Sequence, residues 1–265
     1  MVVPREHGAW GMLLVPLATG ALVALPSGID AAAIVWFVIA ALSLFWLRTP
    51  VESWLGTSPI KAQNGRERRL VASATLGIGS LSLTAVLTLL YLHRTRGLLT
   101  IGTVAALAFA AQVAVKNLGR RGRMPAQLVG SIGLTSAAAG AYYVATGRLD
   151  RTAFALWLAN WLFAADQIHF VQLRIRSSRA KTFREKLQGG TGFLVGQIAL
   201  IGAVLAACRY GFFPTAVALA FLPVLLRGTL WFMRKRQPLD VHKLGFTELA
   251  HALTFGALLC AAYFL

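Results

Sequence analysis

The sequence predicts an all-α, polytopic membrane bundle of about nine transmembrane helices, and three observations predict it. Hydrophobic residues make up 57% of the 265-residue chain and charged residues only 13%, about half the charged share of a soluble domain. Too few polar side chains remain to cover a soluble surface, and mean hydropathy is +0.66. The apolar residues fall in long runs, each near the ~20 residues that a helix needs to cross a bilayer. Lys and Arg fall between the runs and alternate in abundance from one connection to the next, as cytoplasmic and outer loops do.

The runs are 8–25, 31–47, 70–92, 97–115, 126–145, 152–173, 190–208, 212–232 and 246–265. None alternates polar with apolar as barrel strands do, so all read as helices. The first follows Arg5, carries Trp10 as an interface anchor, has Gly8 and Gly11 for close helix contact, and bends at Pro16. It shows no convincing cleavage site and eight runs follow it, so it reads as a retained span rather than a signal peptide. The second is short and ends in Phe45-Trp-Leu-Arg-Thr-Pro50, where Pro50 suits the first turn of a new interfacial helix anchored by Trp54. The third to fifth are separated by the short HRTRG and the basic KNLGRRGR. The sixth is interrupted by Asp166 and His169, the eighth carries Pro223 and Arg227, and the ninth begins near Gly245 and carries Glu248 and His251. No linker or repeat divides the chain, so residues 1–265 read as a single transmembrane domain.

Twenty-one Lys and Arg lie at one end of this arrangement and five at the other. That asymmetry predicts a cytoplasmic N-terminus and an outer C-terminus. It also explains the net charge of +17, which is spread over inter-span loops and does not suggest nucleic acid. Cys208 and Cys260 form no metal-binding pattern and read as small buried hydrophobes.

Asp166 and His169 are spaced i, i+3 and share a helix face. Counted back from Arg174, they lie about 12 and 7 Å below the boundary. A carboxylate at that depth faces the protein interior and needs a partner. The plain alternative to a ligand site is a structural pair, with the acid bonded to the imidazole or to an arginine. Glu248 and His251 repeat the spacing at similar depth, although Glu248 near a helix N-terminus is also favoured by the helix dipole. Acid and imidazole on one face suit a metal, with Asp166, His169, Glu248 and His251 as the ligands, but so short a spacing arises by chance and no metal is assigned from it. His7 stands at the inner mouth of the first span. Arg48 has two acids to choose between, Glu52 four residues on and Asp166 inside the bundle. The basic loops explain themselves by orientation; their sharper reading is attraction of phosphate. No Walker motif, dinucleotide fingerprint or serine elbow is present, and no cofactor is legible.

Four stretches carry a resemblance. PREHGAWGMLLVPLATG at 4–20, FWLRTP at 45–50, the block 130–176 and KLGFTELAH at 243–251 resemble the YwiC-like family of bacterial integral membrane proteins, over nearly the whole chain. The resemblance implies the bacterial inner membrane and no particular chemistry. A second, more distant resemblance is to UbiA-type prenyltransferases, with nine spans, an inward N-terminus and a cytoplasmic-side site. Asp166-Gln-Ile-His-Phe-Val-Gln172 is similar to the start of their second aspartate motif. That resemblance would imply a prenyl or lipid transferase. Two departures stand against the chemistry: Leu173 occupies the place of a second acid, and the end of the second span reads LRTPVESWLG, with Glu52 its only acid. Such enzymes need several carboxylates to hold Mg²⁺.

The expectation is therefore a cytoplasm-facing cavity lined by His7, Arg48, Glu52, Asp166, His169, Arg174, Glu248 and His251. Its partner is membrane lipid and its ligand an anionic amphipath, an isoprenoid phosphate or a lipid. The alternatives are a small proton-coupled transporter titrating Asp166 and Glu248, and a non-enzymatic assembly protein.

Overall fold

The computed structural model describes residues 7–54, 64–92, 94–178, 180, 182–234 and 239–265, and no side chains at 7–9, 120 and 121. These form α1 (His7–Ala24), α2 (Ala31–Trp54), α3 (Gly65–Tyr91), α4 (Thr95–Lys116), α5 (Arg123–Thr135), α6 (Ala137–Thr146), α7 (Arg151–Arg176), α8 (Phe183–Arg209), α9 (Val217–Ala220), α10 (Leu222–Met233) and α11 (Val241–Phe264). Two short 3₁₀ turns complete them, and no strand occurs among the described residues. Seven helical segments are long and apolar enough to cross a membrane, and the chain is a multi-pass membrane protein. Each of the nine apolar runs maps onto helix. The two outside the seven are α7, which is polar in its second half, and Val217–Met233, which is short.

Several helices overrun their apolar runs at the basic end by one to two turns, because side-chain caps hold their first turns outside the greasy stretch. Asn64 accepts from the Glu67 N–H at 2.9 Å, Thr182 from Glu185 at 3.2 Å and Asp240 from Lys243 at 3.1 Å. Both Asn64 and Thr182 are followed three residues on by Glu, the spacing of a capping box. Hydropathy marks the apolar part of a helix; the caps mark its start.

Three expectations are corrected. Pro50 does not open a new helix: α2 runs through it to Trp54, and the Arg48–Glu52 pair at 2.9 Å spans the proline on the helix surface. The fifth run is two helices that meet at Ser136. There the Thr135 and Ser136 hydroxyls donate to the carbonyls of Ser131 and Gly133, both at 2.7 Å, a back-bonding that bends helices. The eighth run is broken before Pro223, which sits in the first turn of α10.

Helix α6 is the centre of the bundle. Every residue from Ala137 to Ala145 is buried, against α1, α2, α4 and α7. Lipid tails give no hydrophobic push between helices, so close contact of small residues has to hold them. A Cβ at Gly20 would lie 2.1 Å from the Ala138 carbonyl oxygen, and one at Gly140 would meet the Phe37 ring at the same distance. Elsewhere Phe163 stacks on Phe255 at 4.3 Å, and Asn160 donates to Thr19 Oγ1 at 3.1 Å, joining α7 to α1. At the end opposite the basic loops, Arg94 bonds Asp30 and the Val144 carbonyl, and Arg151 donates to the Tyr210 carbonyl at 2.7 Å.

Candidate functional site

A buried charge cluster joins three helices. Arg227 of α10 extends its guanidinium between α7 and α11. Its Nη2 donates to Asp166 Oδ2 at 2.6 Å, and its Nη1 donates to Glu248 Oε2. The three side chains are only 7%, 3% and 6% exposed, so one guanidinium holds two carboxylates away from water. The planar fork of arginine reaches two carboxylates at once, which a lysine cannot do in the same geometry. The guanidinium also lies over the Phe170 ring, 4.1 Å from its centre. Gln197 of α8 donates to Asp166 Oδ1, and Gln167 Nε2 donates to the Glu248 backbone carbonyl at 2.9 Å.

The local sequence makes this meeting possible. Gly190, Gly196 and Gly228 let Phe232, His169 and Phe193 sit where a side chain would otherwise stand. Phe170, Leu173, Phe193, Phe232 and Leu244 form a separate apolar cluster beside the charges. Leu173 is thus a packing residue, 4% exposed, at the position where the prenyltransferase pattern would put an acid.

Beside the cluster lies a cavity of about 330 Å³ between α7, α8, α10 and α11. Among the described residues its wall carries five cations, Arg174, Lys186, Arg227, Arg234 and Lys243, against two acids, Asp240 and Glu248, and it includes His251. Lys186 is 5% exposed; its ammonium donates to the Arg234 and Trp231 carbonyls at 2.6 and 3.2 Å. Arg174 and Lys243 make no side-chain hydrogen bond or ion pair with a described residue. Arg227 Nε, Glu248 Oε1 and Gln197 Oε1 are buried polar atoms that meet no partner among the described residues.

Of the residues expected to line one cavity, Arg174, Glu248 and His251 do line it. Asp166 lies behind the guanidinium and is not part of the wall. His169 turns away toward α8, edge-on to Phe193 at 5.4 Å. His251 Nδ1 is 2.7 Å from its own helix's Thr247 carbonyl, so neither acid-x-x-His pair is bonded to itself. Arg48 and Glu52 lie elsewhere, where Glu52 Oε1 accepts from Arg48 at 2.9 Å and from Lys116 at 2.8 Å. The His7 side chain lies outside the described residues. No three His, Cys, Asp or Glu among the described residues form a group that could hold a metal. Sequence reasoning missed Arg227 as the hub. The signal was present, an arginine inside an apolar run, where it must find a carboxylate.

No curated protein and no solved structure matches the chain significantly. Residues 3–143 match the model of the YwiC-like protein family. The match takes in the HGAW segment, FWLRTP and the start of the central block, and stops short of Asp166, Arg227 and Glu248. It spans more than half of the sequence, and the chain belongs to the YwiC-like family.

Proposed function

We propose that this YwiC-like membrane protein binds the anionic headgroup of an amphipathic ligand, an isoprenoid phosphate or a lipid, in the cavity between α7, α8, α10 and α11. The observation that carries the reading is the excess of cations on the described cavity wall, where neither Arg174 nor Lys243 is held by a side-chain hydrogen bond or ion pair to a described residue. Arginine forks match phosphate oxygens, and a cationic pocket at the basic end of a bundle lies within reach of headgroups. Orphaned Arg227 Nε adds a donor at the inner wall. With the N-terminus inside and the C-terminus outside, as the Lys and Arg asymmetry suggests, the cavity faces the cytoplasm of a bacterial inner membrane.

Asp166 and Glu248 serve here as counterions that hold Arg227 in place, rather than as ligands for a metal-bound diphosphate. A prenyl transferase reaction would need further carboxylates that the described wall does not supply. A proton-coupled carrier has one observation in its favour, two carboxylates sharing one guanidinium, since a proton taken up by one would loosen its own arm of the guanidinium while the other stays paired.

Native mass spectrometry of the purified full chain tests the headgroup reading. Anionic isoprenoid or lipid adducts should persist on the wild type and be lost from Arg174→Ala/Lys243→Ala, while that variant keeps its thermal stability. The same adducts at the same occupancy on both proteins would overturn it.

A further inference from the structure

The cationic cavity is longer than a phosphate needs. Along α10 it runs from Arg234 at the basic end to Pro223, about 16 Å deeper at 1.5 Å per residue. Leu226 and Leu230 line it and are still 52% and 45% exposed, so this flank of the cavity is open toward lipid.

The polar groups of the described wall are sorted by depth. Near the basic end, Arg174, Arg234 and Lys243 carry N–H donors. Asp240, the acid at that end, is engaged as the cap of α11. Thr247, Glu248 and His251 also line the cavity, about 6 to 12 Å deeper than Lys243 along α11.

At that depth α11 offers acceptors. The Thr247 hydroxyl gives its hydrogen to the Leu244 carbonyl at 2.8 Å. His251 Nδ1 lies 2.7 Å from the Thr247 carbonyl. A carbonyl only accepts, so Nδ1 carries the hydrogen, and in the neutral ring Nε2 is left as an acceptor. Nε2 has no hydrogen-bond partner among the described residues. Glu248 is 5% exposed, and its Oε1 meets no donor among them either. A buried acceptor without a donor is costly, so this part of the wall calls for a donor on the ligand.

Building on the headgroup reading, we infer that the ligand carries a free hydroxyl between its phosphate and its hydrocarbon chain, and that this hydroxyl donates to His251 Nε2. The phosphate sits among Arg174, Arg234 and Lys243. The hydroxyl lies deeper, beside Glu248 and His251, and the chain leaves past Leu226 and Pro223 into the bilayer. A hydroxyl suits this depth better than an ammonium. The described wall already has more cations than acids, and a hydroxyl oxygen can also accept from Arg227 Nε, which has no partner among the described residues. The class is a phosphate monoester of a hydroxyl-bearing chain, such as a monoacyl glycerol phosphate. A diacyl glycerol phosphate and a bare isoprenoid phosphate both lack that hydroxyl.

Native mass spectrometry of the full chain in detergent tests this with an equimolar pair of probes. 1-Oleoyl-glycerol 3-phosphate and 3-oleoyloxypropyl phosphate differ only in the hydroxyl. The wild type should retain the first about tenfold over the second, the effect of one hydrogen bond of about 1.4 kcal/mol. His251→Leu should bring the ratio close to one while both probes still bind. Its melting temperature should stay that of the wild type, because the ring bonds only its own helix among the described residues. A ratio close to one on the wild type would overturn the inference, and so would a tenfold ratio that survives His251→Leu. The deoxy probe reports the headgroup reading by itself. If Arg174→Ala/Lys243→Ala loses both probes but the wild type holds them equally, the headgroup reading stands and the hydroxyl falls. If that double variant keeps both probes at wild-type occupancy, both fall.

Discussion

Asp166 on α7 and Arg227 on α10, 61 residues apart in sequence, are joined by a 2.6 Å ion pair in which neither side chain is more than 7% exposed. With Glu248 on the other arm of the same guanidinium, the pair ties three helices together at the inner wall of the cationic cavity. A buried pair of this kind is costly to break from one side, because the remaining charge is left without a partner.

Arg227→Ala should therefore destabilise the protein by about 3–5 kcal/mol, since it strands two buried carboxylates. Arg227→Lys should restore part of the loss, because one ammonium lacks the planar fork. Thermal melting in detergent measures both. A melting temperature for Arg227→Ala equal to that of the wild type would show that the cluster contributes nothing to the fold.

The α1–α6 contact makes Gly20 intolerant of even one methyl group, because the nearest obstacle is the Ala138 backbone. Gly20→Ala should cost about 1–3 kcal/mol, as overpacking does. Gly102→Ala is the matched control: a Cβ there meets nothing within 4 Å, and the change should be neutral or slightly stabilising in a helix. The comparison is again read from melting, and equal shifts for the two variants would contradict the packing account.

Lys186 closes the end of α10 by donating to the Trp231 and Arg234 carbonyls. Lys186→Met keeps the apolar stem and removes a charged donor, a loss of about 1.5–3 kcal/mol per such bond at most. Hydrogen exchange should accelerate at residues 230–234 and stay unchanged in α1 and α6. Uniform protection across α10 in the variant would remove Lys186 from this role.

Orientation has its own measurement. In a Cys208→Ala/Cys260→Ala background, Ser27→Cys lies at the sparsely charged end and Gly65→Cys at the basic end, and both positions are exposed. An impermeant thiol reagent added outside intact cells should label the first and not the second. The reverse pattern would invert the proposed topology and place the cationic cavity outside.

The sequence was informative in proportion to how local the physics was. The spans were legible because a greasy helix advertises its own length. The break at Ser136 was not, because it depends on hydroxyls bonding back to nearby carbonyls in a run that hydropathy sees as uniform. The continuation of α2 through Pro50 was also hidden, since a proline near a run's end usually marks a boundary. Within the site, the depth of Asp166 and Glu248 foretold that each needed a partner. It did not foretell that they share Arg227, or that Lys116 joins Arg48 in donating to Glu52.

By itself the sequence determined the membrane class, the helical runs, the alternation of charge between loops and the presence of buried acids. All of these follow from transfer energies that each residue carries with it. Tertiary structure alone decided which charges meet. It drew the expected single cavity apart into a cationic pocket at α7, α8, α10 and α11 and an apolar cleft at α2 to α6. The physical reason is that pairing of buried charges depends on which helix faces touch, and glycines such as Gly20, Gly190 and Gly228 set those faces through contacts far apart in sequence.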